Sequence, residues 1–311
     1  MRGSSSVQGA KIGLELGGAF CGWLWDAEGG HPTADVFRSN LQPGGYYKKH
    51  IGAVRYEDIV IRFGTGMCKA LYDWIATGFR SGAPQNGAIV YTDYQSQELS
   101  RLEFTSAVIT DLGMPALDAA LRDAASMTIK LKPGRTRRVV STRGAKIGRP
   151  LVASQWLPSN FRLTFPNDAS FGSAVARVNK IEALTIRQNV TQQKVTENAV
   201  GQERDYEQEP TSVEVPNLVI TLAESHAKPF YDWHEDFVVR GRNTDDKEKN
   251  ATLEYLAPDL TTSLFTLSFK NVGIIKIAPE RSEAGNQGVR RVKIEMYCED
   301  IKFNYAPGAA N

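Results

Sequence analysis

The chain has 311 residues, 41% of them apolar, and a formal net charge of +2. That length suits two domains of ordinary size, each able to bury a core, and the charge excludes a polycation built to coat nucleic acid or membrane. No apolar run approaches the roughly 20 residues of a membrane span, and Met1-Arg2-Gly3-Ser4-Ser5-Ser6 lacks the apolar segment of a secretory signal.

Residues 1–10 read as a flexible arm. Lys11 to Leu16 alternates as a strand with Ile12, Leu14 and Leu16 on one face, and residues 21–25 suit its hairpin partner across Gly17-Gly18. Residues 27–56 read as one long polar loop, a length uncommon in compact domains unless it has a task. Its tip is basic and aromatic: Tyr46, Tyr47, Lys48, Lys49 and His50. A strand at 58–63 leads into a helix with Met67, Leu71, Trp74 and Ile75 on one face, Thr65 as N-cap and Gly78 near its end. Strands at 87–95 and 99–109, a short helix at 115–125 and a strand at 126–132 complete a β-rich body.

Residues 132–150 hold Lys132, Arg135, Arg137, Arg138, Arg143, Lys146 and Arg149 without an acidic residue. Gly134, Gly144, Gly148 and Pro150 make this a linker, in which Val139 and Val140 suit a short strand. It is either a solvated linker or a contact for an acidic surface or a phosphate backbone. Beyond it come a strand at 161–165, a Gly/Ser turn, and a long strand at 174–190 carrying Val178, Ile181, Leu184 and Ile186. The connection at 191–213 is acidic, with Glu197, Glu203, Asp205, Glu207 and Glu209. It stands where the basic 39–57 loop stands in the first half. Opposite charges on equivalent loops suit head-to-tail association; two solvated loops that drifted separately is the other reading.

The halves also echo each other directly. Ile59 lies 13 residues before Tyr72-Asp73-Trp74, and Leu218 lies 13 residues before Tyr231-Asp232-Trp233. The segment from Phe104 to Ile109 answers that from Phe269 to Ile274, and strands with inward Met127, Ile129 and Leu131 or Val292, Ile294 and Met296 follow. The same elements in the same order indicate an internal duplication. The expected organisation is an arm at 1–10, a first domain at 11–132, a basic linker at 133–155, a second domain at 156–305 and a tail at 306–311.

Chemical motifs are sparse. His31, His50, His226 and His234 show no helical metal spacing, and no cysteine pair has zinc-site spacing. Cys21, Cys68 and Cys298, odd in number and far apart, fit a reducing cytoplasm better than a disulfide framework. Gly64-Thr65-Gly66 lacks the ending of a phosphate loop. Neighbours such as His234, Glu235 and Asp236 point apart on a helix and do not converge on one substrate atom. The expectation is a protein that is not an enzyme, with no catalytic residue, metal or cofactor. Trp74 and Trp233 are expected to anchor a helix to a sheet in each domain.

The run through Tyr46–His50, Tyr56–Arg62, Leu71–Ile75, Leu102–Val108 and Met127–Leu131 resembles the tail tube family of contractile phage tails and related injection systems, including the inner tube of type VI secretion. The second half is similar through Phe161–Phe165, Leu218–Leu222, Tyr231–Trp233, Phe269–Ile274 and Val292–Met296. The resemblance implies a mainly β fold with one flanking helix per domain, that is, two tandem tail-tube-like β-barrel or sandwich domains. It implies a self-assembling structural subunit of a virion tail, assembled in the host cytoplasm, stacking as rings around a lumen that conducts DNA or effectors. Its partners would be itself, as a hexamer or a trimer, with sheath and baseplate proteins and no membrane. Family members carry one such domain, so the duplication also admits a baseplate hub, tube-initiator or tube-end role in which three chains form a pseudo-hexameric ring. Loops 39–57 and 191–213 are expected between rings. Edges at 59–63, 104–109, 218–222 and 269–274 are expected within a ring. A nucleic-acid-binding module using residues 130–149 is the reading from a different class.

Overall fold

The computed structural model describes residues 11–141, 147, 156–166, 168–194, 206–280 and 289–306. Arg143, Lys146, Arg149, Glu197, Glu203, Asp205 and the arm at 1–10 lie outside them.

In the first half the strands are β1 (Lys11–Leu16), β2 (Ala19–Leu24), β3 (Asp26–Gly29), β4 (Pro32–Gln42), β5 (Tyr46–Tyr56) and β6 (Ile59–Phe63). Helix α1 (Lys69–Ser81) follows, then β7 (Gln85–Thr92), β8 (Glu98–Met114), β9 (Leu117–Asp118), β10 (Met127–Lys132) and β11 (Arg135–Val140). The second half holds β12 (Phe161–Thr164), α2 (Gly172–Val175), β13 (Val178–Ile181), β14 (Leu184–Lys194), β15 (Tyr206–Glu214) and β16 (Leu218–Ala223). Helix α3 (Lys228–His234) then runs into a π turn at Glu235–Val239 before β17 (Lys249–Leu256), β18 (Ser263–Pro279) and β19 (Arg291–Tyr305). The fold is mainly β.

One sheet has the order β2-β1-β7-β8-β10-β6-β3, with β11 and β14 also on β8 and β15 beyond β14; the other has the order β12-β17-β18-β19-β16-β13-β9. Alternation explains the strands. Met127, Ile129 and Leu131 are fully buried while Thr128 and Lys130 between them are not, as a half-buried strand requires. One continuous apolar core runs through both halves. Tyr72 of α1 joins them, 5.4 Å from Phe265 and 5.2 Å from Tyr305, and Trp156 meets Tyr255 and Phe265 edge-on.

The two halves use the same pairing register. In the first, Phe63, Ile61 and Ile59 oppose Met127, Ile129 and Leu131; in the second, Leu222, Ile220 and Leu218 oppose Val292, Ile294 and Met296. The bulge between Ile109 and Asp111 where β8 meets β10 recurs between Ile274 and Lys276 where β18 meets β19. Ser106 and Asn271 hold the rare left-handed backbone, φ 49° and 50°. Each backbone N–H donates to an asparagine Oδ1, from Ser106 to Asn86 at 2.8 Å and from Asn271 to Asn250 at 3.4 Å. That side chain supplies the partner a ladder loses at a bulge.

Several expectations are corrected. Residues 27–56 are not a loop: β4 and β5 form a two-stranded ribbon that, among the described residues, is paired only with itself. The 191–213 connection is likewise a ribbon, β14 with β15. The strand expected at 174–190 is divided into α2, β13 and β14, and its two strands part company at Glu182 and Ala183, β13 pairing with β16 and β14 with β8. Residues 115–125 are β9 and turns, with Asp118 accepting from the Ala120 N–H. The N-cap of α1 is Cys68 rather than the buried Thr65, and the helix runs past Gly78 to a left-handed Gly82. The four strands expected as edges are interior: β6 lies between β10 and β3, β8 between β7 and β10, β16 between β19 and β13, and β18 between β17 and β19. Cys21 and Cys68 form a disulfide from β2 to the start of α1, against the expectation of unbonded cysteines; Cys298 is free and buried.

Candidate assembly surfaces

The helices carry the repeated aromatic anchors. On α1, Trp74 is 3% exposed and donates from Nε1 to the Ala83 carbonyl at 3.1 Å; Trp233 on α3 is 8% exposed against Phe165, Phe171 and Phe237. Lys69 pairs with Asp73 and Lys228 with Asp232, each at 2.6 Å and one turn apart. Asp73 also accepts from the Tyr305 hydroxyl at 2.6 Å. Hydrogen bonds from Lys69 and then Tyr305 hold the Asp73 carboxyl below the usual carboxylate range. The carboxylates near His234 have structural partners, Glu235 with Arg240 and Asp236 with Arg242. Among the described residues no group of histidine, cysteine or carboxylate side chains is placed to hold a metal.

The ribbons are the projecting features. On the first, Tyr46, Tyr47, Lys48 and Lys49 are exposed on β5, His50 stacks on Phe37 at 5.4 Å, and Arg38 lies over Tyr47. Val36, Phe37, Leu41 and Ile51 add large apolar side chains exposed by more than half. As far as Arg38 and Gln192 the ribbons share a register and a bulge: Val36 opposite Ile51 answers Val190 opposite Pro210, and Phe37 opposite His50 answers Thr191 opposite Glu209; the first then has a further shift between Arg38 and Leu41. Lys49 therefore stands where Gln208 stands.

Among the described residues, the second ribbon is the seated one. Strand β14 continues the first sheet, with Leu184, Thr185, Ile186 and Arg187 opposite Met114, Gly113, Leu112 and Asp111. Gln208 is buried and donates to the Pro133 carbonyl at 3.1 Å. Pro210 lies so close over Gly82 that a Cβ there would clash with its ring. Ile186, Val213 and Val215 share a cavity of about 100 Å³ with Ile75 and Phe79 of α1. Sequence reading missed Asn86, Asn250, Gly82, Gly241 and the Asp111–Met114 edge. Extending the match of Phe104–Ile109 with Phe269–Ile274 onward by five residues reaches that edge, and carrying the Tyr72 and Tyr231 match ten residues on reaches Gly82 and Gly241; nothing comparable points to Asn86 and Asn250.

No family model matches the sequence, and no curated protein matches it. Among solved structures the chain is similar to the tube-terminating cap of the anti-feeding prophage, at 20% identity over 45% of this chain and 95% of that one, TM-score 0.38. It is similar to a chain of the sheath–tube complex of the extracellular contractile injection system PVC, at 21% identity over 42% and 89%, TM-score 0.37. It is also similar to Hcp1 from Flavobacterium johnsoniae, at 14% identity over 42% and 96%, TM-score 0.29.

Proposed function

We propose that the chain is a duplicated, ring-building structural subunit of the tube and baseplate assembly of a contractile phage tail or injection system. Three chains would present six tube-like units in a hub, initiator or tube-end position, around a lumen through which DNA or effectors pass. The observation that carries this reading is the joint between the halves, where β14 of the second extends the sheet of the first along β8. A joint that sets one unit on the next through non-identical surfaces is heterologous, and a heterologous joint builds a ring where its rotation closes and an open filament where it does not. Strand pairing across the joint also covers an edge that would otherwise template aggregation. Sheath and baseplate proteins are the expected outer partners.

The exposed aromatic ribbon favours a second reading, a main-tube subunit whose rings stack. Electron microscopy of the purified chain with mass photometry tests both. Discrete rings three times the mass of the chain are expected, and long hollow tubes would favour the second reading. A protein that stays monomeric at high concentration overturns the ring-building proposal.

A further inference from the structure

The joint inside the chain has two open counterparts. Strand β8 is covered by β14 at Asp111–Met114; the equivalent stretch of β18, Lys276 to Pro279, pairs with β19 on one edge and with no strand among the described residues on the other. Pro210 sits on left-handed Gly82 at the end of α1; left-handed Gly241 after α3 has open space where a Cβ would stand. The first-ribbon residue in the place of Pro210 is Ile51, 76% exposed. On the helix face, Tyr72 is covered by Tyr305 of β19, whereas the equivalent Tyr231 is 38% exposed and Val140, in the place of Tyr305, is 70% exposed.

We infer that the second half of one chain is the socket for the first half of another, through a copy of the joint already closed within each chain. The occupant is a second copy of this chain: its residues 30–33 run antiparallel along Lys276 to Pro279, Ile51 covers Gly241, and Val140 packs on Tyr231. The order of surfaces is the same in all three contacts, with the later unit seated on the earlier. Gly30 and His31 already bond Asp58, Thr136 and Glu57 through their backbone, and Pro32, in the place of Ile186, lacks an N–H, so this edge offers the Pro32 carbonyl as acceptor where β14 pairs along its length. An edge with a missing donor pairs poorly with a generic strand. That leaves the side-chain contacts to select the partner.

This rests on the ring-building reading and is tested apart from it. His31 stands in the place of Thr185 and therefore faces Ala278 of the neighbour, at the spacing of about 4.5–5.5 Å that suits a cross-strand disulfide. The double variant His31→Cys/Ala278→Cys, oxidised as the assembled protein, is expected to give covalent multimers on non-reducing gels, while either single variant does not. Ile51→Asp, at a site exposed enough to leave the fold unchanged, is expected to lower the assembled fraction at least tenfold with the same melting temperature. Wild-type-sized assemblies that neither cross-link in the double variant nor weaken in Ile51→Asp overturn the inference and leave the ring reading standing. A wild-type protein that never assembles overturns both.

Discussion

Trp74 shows what one side chain contributes. Its ring is packed between α1 and the sheet while its indole N–H caps the carbonyl just beyond the helix end. Trp74→Ala would leave a cavity and remove the indole hydrogen bond together, and is expected to cost about 3–5 kcal/mol. Denaturant unfolding checks this, and a midpoint equal to wild type would sink the anchor role. Cys298 belongs to the same scale. Burial pushes its thiol up to about 12, so it is unreactive at neutral pH. With Cys21 bonded to Cys68, titration with a thiol reagent should find no reactive group in the folded protein, one after unfolding, and all three after unfolding with reductant. Two further thiols in the unfolded, unreduced chain would refute the bond. The core residues were legible because Met127, Ile129 and Leu131 alternate and Tyr-Asp-Trp recurs. The disulfide was not, because cysteines 47 positions apart carry no local signal.

At the scale of elements, the disulfide closes a loop of 47 residues that contains the whole first ribbon. In the chain-entropy account this contributes about 4 kcal/mol. The ribbon itself was hidden in the sequence for a physical reason: β4 is exposed nearly throughout and β5 only half-buries alternate residues from His50 to Tyr56, so little imposes the polar–apolar alternation by which a strand is read. The four strands expected as edges are apolar enough to be found, but apolarity does not say which neighbours flank them. Because β4 and β5, among the described residues, pair only with each other, deleting residues 44–50 should leave the melting temperature unchanged while abolishing assembly. Light scattering beside thermal unfolding separates the two effects, and normal assembly by the shortened chain would count against the ribbon as a contact.

For the molecule as a whole, the pairing register common to β6 with β10 and β16 with β19 had a trace in the sequence and the joint had none. The pairing of Leu184–Arg187 with Asp111–Met114 links segments with no resemblance to each other. Such a contact is set by how two finished surfaces meet. The structure also shows the halves less separate than a domain boundary at 133–155 suggests: β11 lies on β8, and β9 of the first half pairs with β13 of the second.

The β14–β8 joint is tied within a single polypeptide, where the partners meet at an effective concentration of the millimolar order whatever the bulk dilution. Diluting the protein therefore cannot open it, and any assembly comes apart only between chains. In a ring of three such chains every second seam would be permanent, and assembly would need two encounters in solution before closure where six separate units would need five. Such a ring would fall apart on dilution with a steepness set by chains rather than by units.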